Sequence, residues 1–166
     1  MTSKKKSWQE KLADKDNLPK ILILEKKFPC YNAVHKMGAN AGDEIVLVNP
    51  CEVVECMKKV PYGKITTIEE ICMSIARKYH VKGCCSLTTG IFIMIAANAA
   101  EEAILAGKDL KIPYWRTVKN EGLLNEKYPG GDESHKQLLE KEGLNVYKKG
   151  KKYYVQHYHK YLFKEF

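Results

Sequence analysis

The sequence predicts a mainly α-helical protein with small β-hairpins, and three stretches decide this. Residues 67–79 place Ile68, Ile71, Cys72, Ile75, Ala76 and Tyr79 on one stripe at helical spacing, with Glu69, Glu70, Arg77 and Lys78 facing away. Residues 86–105 are apolar nearly all round across 91–97, which puts the middle of a long helix in the core. Residues 145–155 read Asn-Val-Tyr, a Lys-Lys-Gly-Lys turn, then Tyr-Tyr-Val, two β-prone arms about a glycine. A chain of 166 residues that is 45% apolar supports one ordinary core.

In chain order, residues 1–20 are polar and basic, with a short helix around 7–13. Residues 21–24 form a short apolar strand. Residues 25–43 hold Pro, Asn and Gly with little periodicity and read as an irregular connection, followed by a second strand at 45–48. Asn49-Pro50 opens a helix, because Asn caps free N–H groups and Pro is preorganised for a first turn. Val53, Val54, Met57 and Val60 give that helix its apolar face, and Pro61-Tyr62-Gly63-Lys64 stops it. Thr67 begins the next helix, with Glu70 completing a capping box. After 80–83 the long helix runs from about 86–88 to 105 and ends before Gly107. A helix pair joined through glycine suggests a helix-turn-helix.

Residues 112–118 read as extended, 119–122 as a turn and 123–128 as a returning arm, forming a wing or a site-bearing loop. Gly130-Gly131-Asp132 opens a further helix with Asp132 as its cap, and Gly143 closes it. The division expected is an N-terminal extension of unassigned role at 1–48, a central domain at 49–144, and a basic C-terminal hairpin and tail at 145–166.

Twenty-eight Lys and Arg face twenty Asp and Glu, a net charge of +8, which favours an acidic partner, nucleic acid before an anionic membrane. No uninterrupted apolar run reaches the roughly 18 residues of a membrane span, and the lysines at the start have no apolar segment behind them. A cytoplasmic protein with no membrane partner is expected. The six cysteines show no C-x-x-C spacing, so neither a metal site nor a cofactor is expected. They read as small buried hydrophobes, with the adjacent pair Cys84-Cys85 as the one candidate for reactivity.

Chemistry concentrates between residues 112 and 143. Tyr114-Trp115 is either a stacking platform for a base or a core pair. Arg116 either contacts phosphate or braces the segment. Thr88, Thr89 and Gly90 give the long helix a small polar N-terminus suited to close phosphate approach. Lys148, Lys149, Lys151 and Lys152 either grip phosphates or form a solvated hairpin tip.

Four motifs in order then resemble the DNA-binding domain of the alkylguanine-DNA alkyltransferases and the alkyltransferase-like proteins. Val60-Pro61-Tyr62-Gly63-Lys64-Ile65-Thr66-Thr67 resembles the approach to their helix-turn-helix. Pro113-Tyr114-Trp115-Arg116-Thr117-Val118 resembles their Pro-Cys-His-Arg-Val active segment. Tyr128-Pro129-Gly130-Gly131 and Leu138-Leu139-Glu140-Lys141-Glu142-Gly143 resemble their closing motifs, and Asn98 falls where their helix-ending Asn stands. The resemblance covers about residues 50–144 and does not extend to the first fifty. It implies a winged helix-turn-helix that flips an alkylated base and passes the alkyl group to a Cys served by a His and a Glu. Here Tyr114 replaces that Cys, Trp115 replaces that His, and only Glu142 remains. A phenol with an ordinary pKa near 10 is a poor nucleophile, and an indole N–H is no base. The family's nucleotide-rotating Tyr would fall on Ile68, and its intercalating Arg near Thr89.

The expectation is therefore a non-catalytic protein that binds duplex DNA, alkylated or distorted. Its DNA contacts would come from Thr66, Thr67, Thr88, Thr89, Gly90, Asn98 and Arg116. Its pocket would be formed by Pro113, Tyr114, Trp115, Tyr128, Pro129, Gly130, Gly131 and Glu142. The alternatives are alkyl transfer to a relocated cysteine, Cys84 or Cys85, and an RNA- or protein-binding module on the same fold.

Overall fold

The computed structural model describes residues 3–15 and 17–166. It is mainly helical, with three small sheets. α1 (Trp8–Ala13) is opened by a reciprocal box: the Ser7 hydroxyl accepts from the Glu10 N–H, and the Glu10 carboxylate accepts from the Ser7 N–H. β1 (Lys20–Ile23) and β2 (Glu44–Leu47) pair antiparallel, each one residue earlier than the sequence suggested. Between them the expected irregular connection contains a helix, α2 (Tyr31–Lys36). Val34 is its one buried residue, so no periodicity betrays it.

α3 (Pro50–Lys59) starts as expected, with the Asn49 side chain accepting from the Glu52 N–H. α4 (Ile68–Lys78) starts at Thr67, whose hydroxyl accepts from the Glu70 N–H. The second half of that box is absent, because the Glu70 carboxylate faces Lys164 at 3.6 Å. β4 (Gly83–Cys84) pairs parallel with β2, so the first 48 residues supply two strands of a sheet completed from the α4–α5 connection.

α5 (Ser86–Leu105) is the central helix and packs against α1, α3 and α4. It is long and apolar enough to cross a membrane, with a mean hydropathy of 1.3, but here Ile93, Ala96, Ala97 and Ala100 enter the main core. Within 91–97, the stretch expected in the core, Ile91 is exposed; beyond that stretch Leu87, Ile104 and Leu105 are exposed as well.

The segment after α5 departs most from expectation. Residues 114–116 form a 3-10 turn, and β5 (Thr117–Val118) pairs parallel with β3 (Thr66–Thr67). No hairpin forms across 112–128. Leu123 instead bridges to Tyr154, and the Leu124 N–H donates to the Tyr153 carbonyl. α6 (Gly131–Lys141) is preceded by Gly130 at φ 82°, so Asp132 lies inside its first turn and is not its cap. β6 (Val146–Lys149) and β7 (Lys152–Val155) form the expected hairpin. α7 (Tyr158–Tyr161), which the sequence did not suggest, is followed by a tail against β3, with the Phe163 N–H donating to the Ile65 carbonyl.

Candidate nucleic-acid interface and the filled pocket

Pro113 is buried, and the 3-10 turn after it sends Tyr114 inward. Tyr114 is 1% exposed, meets Trp115 and Tyr128 edge-on at 5.4 and 5.1 Å, and donates its hydroxyl proton to Glu101 of α5 at 2.7 Å. Burial, then the Glu101 carboxylate, push its phenol well above the usual range. It is therefore a neutral core side chain. Tyr128 is likewise buried and donates to the Thr117 carbonyl at 2.7 Å. Of the two roles open to Tyr114, stacking platform or core side chain, its burial matches the second: the ring fills the pocket.

Glu142, at the end of α6, gathers the neighbouring polar groups. It accepts from Trp115 Nε1 at 3.1 Å, from Arg116 Nε and Nη2 at 2.9 and 2.7 Å, and from the Gly63 N–H at 3.2 Å. Arg116 Nη1 donates to the Val60 carbonyl at 2.9 Å. With Nε, Nη1 and Nη2 all engaged inside the protein, Arg116 braces the segment, which is one of the two roles the sequence left open for it. The His135 imidazole, missed in the sequence, closes the arrangement from α6. Its Nδ1 accepts from the Asn125 N–H at 3.0 Å, and its Nε2 lies 2.7 Å from the Trp115 carbonyl. Burial pulls its pKa from 6.5 down to about 4, so the ring is neutral and Nε2 is the donor.

Other expected DNA contacts also turn inward. Thr66 is buried and donates to the Phe163 carbonyl, and Thr67 is spent as the α4 cap. Thr89 is fully buried and donates to the Cys85 carbonyl at 2.9 Å, so it meets no phosphate and is no wedge. The Asn98 amide donates to the Met94 carbonyl one turn back. Thr88 and Gly90 remain half-exposed. Pro129, Gly130 and Gly131 shape the turn into α6, with Gly130 and Gly131 at φ 82° and 76°. Cys84 and Cys85 are buried at 0% and 4% exposure.

What α5 leaves open is the face carrying Leu87, Gly90 and Ile91. With Ile68 and Lys119 it borders two depressions of about 470 and 650 Å³. The i, i+4, i+8 run Leu87, Ile91, Ile95 could have revealed this face, but in a helix apolar on every side it does not stand out.

No protein-family model matches the chain, and no curated protein matches it. Among solved structures, the chain is similar to S. pombe ATL crystallised in complex with DNA. The TM-score is 0.53 at 20% identity, over 69% of this chain and 94% of that one. The fold is that of an alkyltransferase-like protein. S. pombe Atl1 in complex with damaged DNA containing O6-carboxymethylguanine is also similar, with a TM-score of 0.48 at 21% identity over the same shares of the two chains. Within the alkyltransferase-like fold, the place that the resemblance gives to the acceptor cysteine is occupied by the buried ring of Tyr114.

Proposed function

We propose that this chain is a non-catalytic DNA-binding protein of alkyltransferase-like type. In this reading α4 and α5 act as a helix-turn-helix, the β6–β7 hairpin acts as its wing, and the ligand is duplex DNA, alkylated or distorted. The observation that carries the reading is Tyr114. At the acceptor position stands a buried, neutral phenol hydrogen-bonded to Glu101, where alkyl transfer needs an exposed thiolate. The net charge of +8, the open face of α5 beside Lys119 and Lys127, and the fold shared with a protein crystallised on DNA all support the DNA partner.

The test is a gel-shift titration at low salt with two duplexes, one carrying O6-methylguanine and one unmodified, alongside intact-mass measurement after incubation with a benzylguanine-type donor. The expected result is a shifted complex and an unchanged protein mass. If neither duplex shifts, the DNA-binding reading is lost. A mass gain equal to the transferred group ends the non-catalytic one.

A further inference from the structure

We infer that the open groove between α1 and the outer face of α5 receives an unpaired nucleobase, with Trp8 as its stacking wall and Lys11, Lys119 and Lys127 holding the flanking phosphates. The inference rests on the DNA-binding reading and adds where a base leaving the helical stack would go.

The groove has a volume of about 470 Å³. Its floor is apolar. Leu87 and Ile91, one turn apart on α5, are 52% and 51% exposed, beside the half-buried Met94, Ile95 and Ile68. These side chains give a ligand's flat apolar face something to cover.

Trp8 stands at the groove edge, 36% exposed, and belongs to a helix held in place. A six-residue helix has little stability of its own. Here the Glu102 carboxylate of α5 accepts from the Trp8 N–H at 3.0 Å, the Gln9 N–H at 3.2 Å and the Gln9 amide at 3.2 Å. Those bonds hold the Glu102 carboxyl below its ordinary range. Ser7 caps the same turn, and Leu12 packs on the main core cluster. The indole is thus positioned before any ligand arrives, which reduces the ordering cost of binding.

Charge selects the occupant. Lys11, Lys119 and Lys127 line the groove, and among the described residues no Asp or Glu does. Lys11 Nζ lies over the Trp8 ring, 4.2 Å from its centre, so it covers one face of the indole and would swing off it to reach a phosphate when a base stacks there. An aromatic wall, an apolar floor and a cationic rim match the face of a base and its phosphates. The pocket that would take such a base in the family is filled by Tyr114 and Tyr128, whereas this groove is open and, unlike the larger depression beside it, has an aromatic wall in Trp8.

The test uses the full chain and two fluorescein-labelled duplexes, identical except for one central unpaired base, with affinities from anisotropy at fixed salt. The wild type should prefer the duplex with the unpaired base by about tenfold, the scale of one base stacked on an aromatic ring. Trp8→Ala and, independently of α1, Leu87→Ala should bring that preference close to one. Trp8→Phe should keep most of it, and Leu105→Ala, at the far end of α5, should keep all of it. With 2-aminopurine as the unpaired base, fluorescence should fall on binding to the wild type and not to Trp8→Ala. Equal affinity of the wild type for both duplexes overturns the inference and leaves the DNA-binding reading standing. So does a preference retained in both alanine variants. Failure to bind either duplex ends both.

Discussion

Glu142 keeps its place in the sequence motif but changes its employment. In the family it orients a histidine; here its carboxylate collects the Trp115 indole N–H, the Arg116 guanidinium and the Gly63 N–H. The Arg116 and Glu142 side chains are only 16% and 5% exposed, so removing one partner strands a nearly buried charge. Glu142→Ala should therefore cost about 3 to 5 kcal/mol in denaturant unfolding, with Glu142→Gln milder because it keeps an acceptor. A loss below about 1 kcal/mol for the alanine variant would show that water replaces the carboxylate. The sequence showed Glu142, Trp115 and Arg116 to be significant but not that they bind one another. Residues 115 and 142 are far apart along the chain, and only the 3-10 turn at Tyr114 faces them together.

At the scale of the element, caps were legible and short buried pieces were not. Asn49 and Thr67 cap α3 and α4 as their sequence implied, because capping is a bond between a side chain and a backbone group three residues away. β4 is different. Its two residues are a strand only because β2 lies alongside, and its glycine matters only because α2 lies above. A Cβ on Gly83 would stand 2.6 Å from Val34 Cγ1 and 3.4 Å from the Ala39 Cβ. Gly83→Ala should accordingly force α2 away from the sheet and cost about 1 to 3 kcal/mol. Hydrogen exchange should show the loss first in the amides of 34–39, and unaltered protection there would mean that α2 gives way without cost.

For the whole molecule, His135 is a joint between parts distant in sequence: α6, the loop at Asn125 and the carbonyl of Trp115. Its pKa is about 4 when folded, against 6.5 for a free histidine. The unfolded chain thus binds the extra proton between those values, and the folded state is favoured by the neutral ring. That contribution is complete above pH 6.5 and fades as pH falls towards 4, by on the order of 3 kcal/mol for a fully buried group. Thermal melts of the wild type should decline across this window more steeply than those of His135→Phe. Parallel curves for the two proteins would remove His135 as the cause.

The sequence by itself determined the helices with local signatures, the C-terminal hairpin, the basic balance and the absence of a cysteine at residue 114. Each of these is set by neighbours within one or two turns or by composition, which a chain carries before it folds. The tertiary structure alone decided that Tyr114 closes a pocket rather than lining one, and that Arg116, Thr66 and Thr89 are spent inside. It also decided that α5 turns Leu87 and Ile91 outward beside Trp8. Which face of an apolar helix is covered depends on what packs against it. Here that is α1, α3 and α4, brought together from separate parts of the chain.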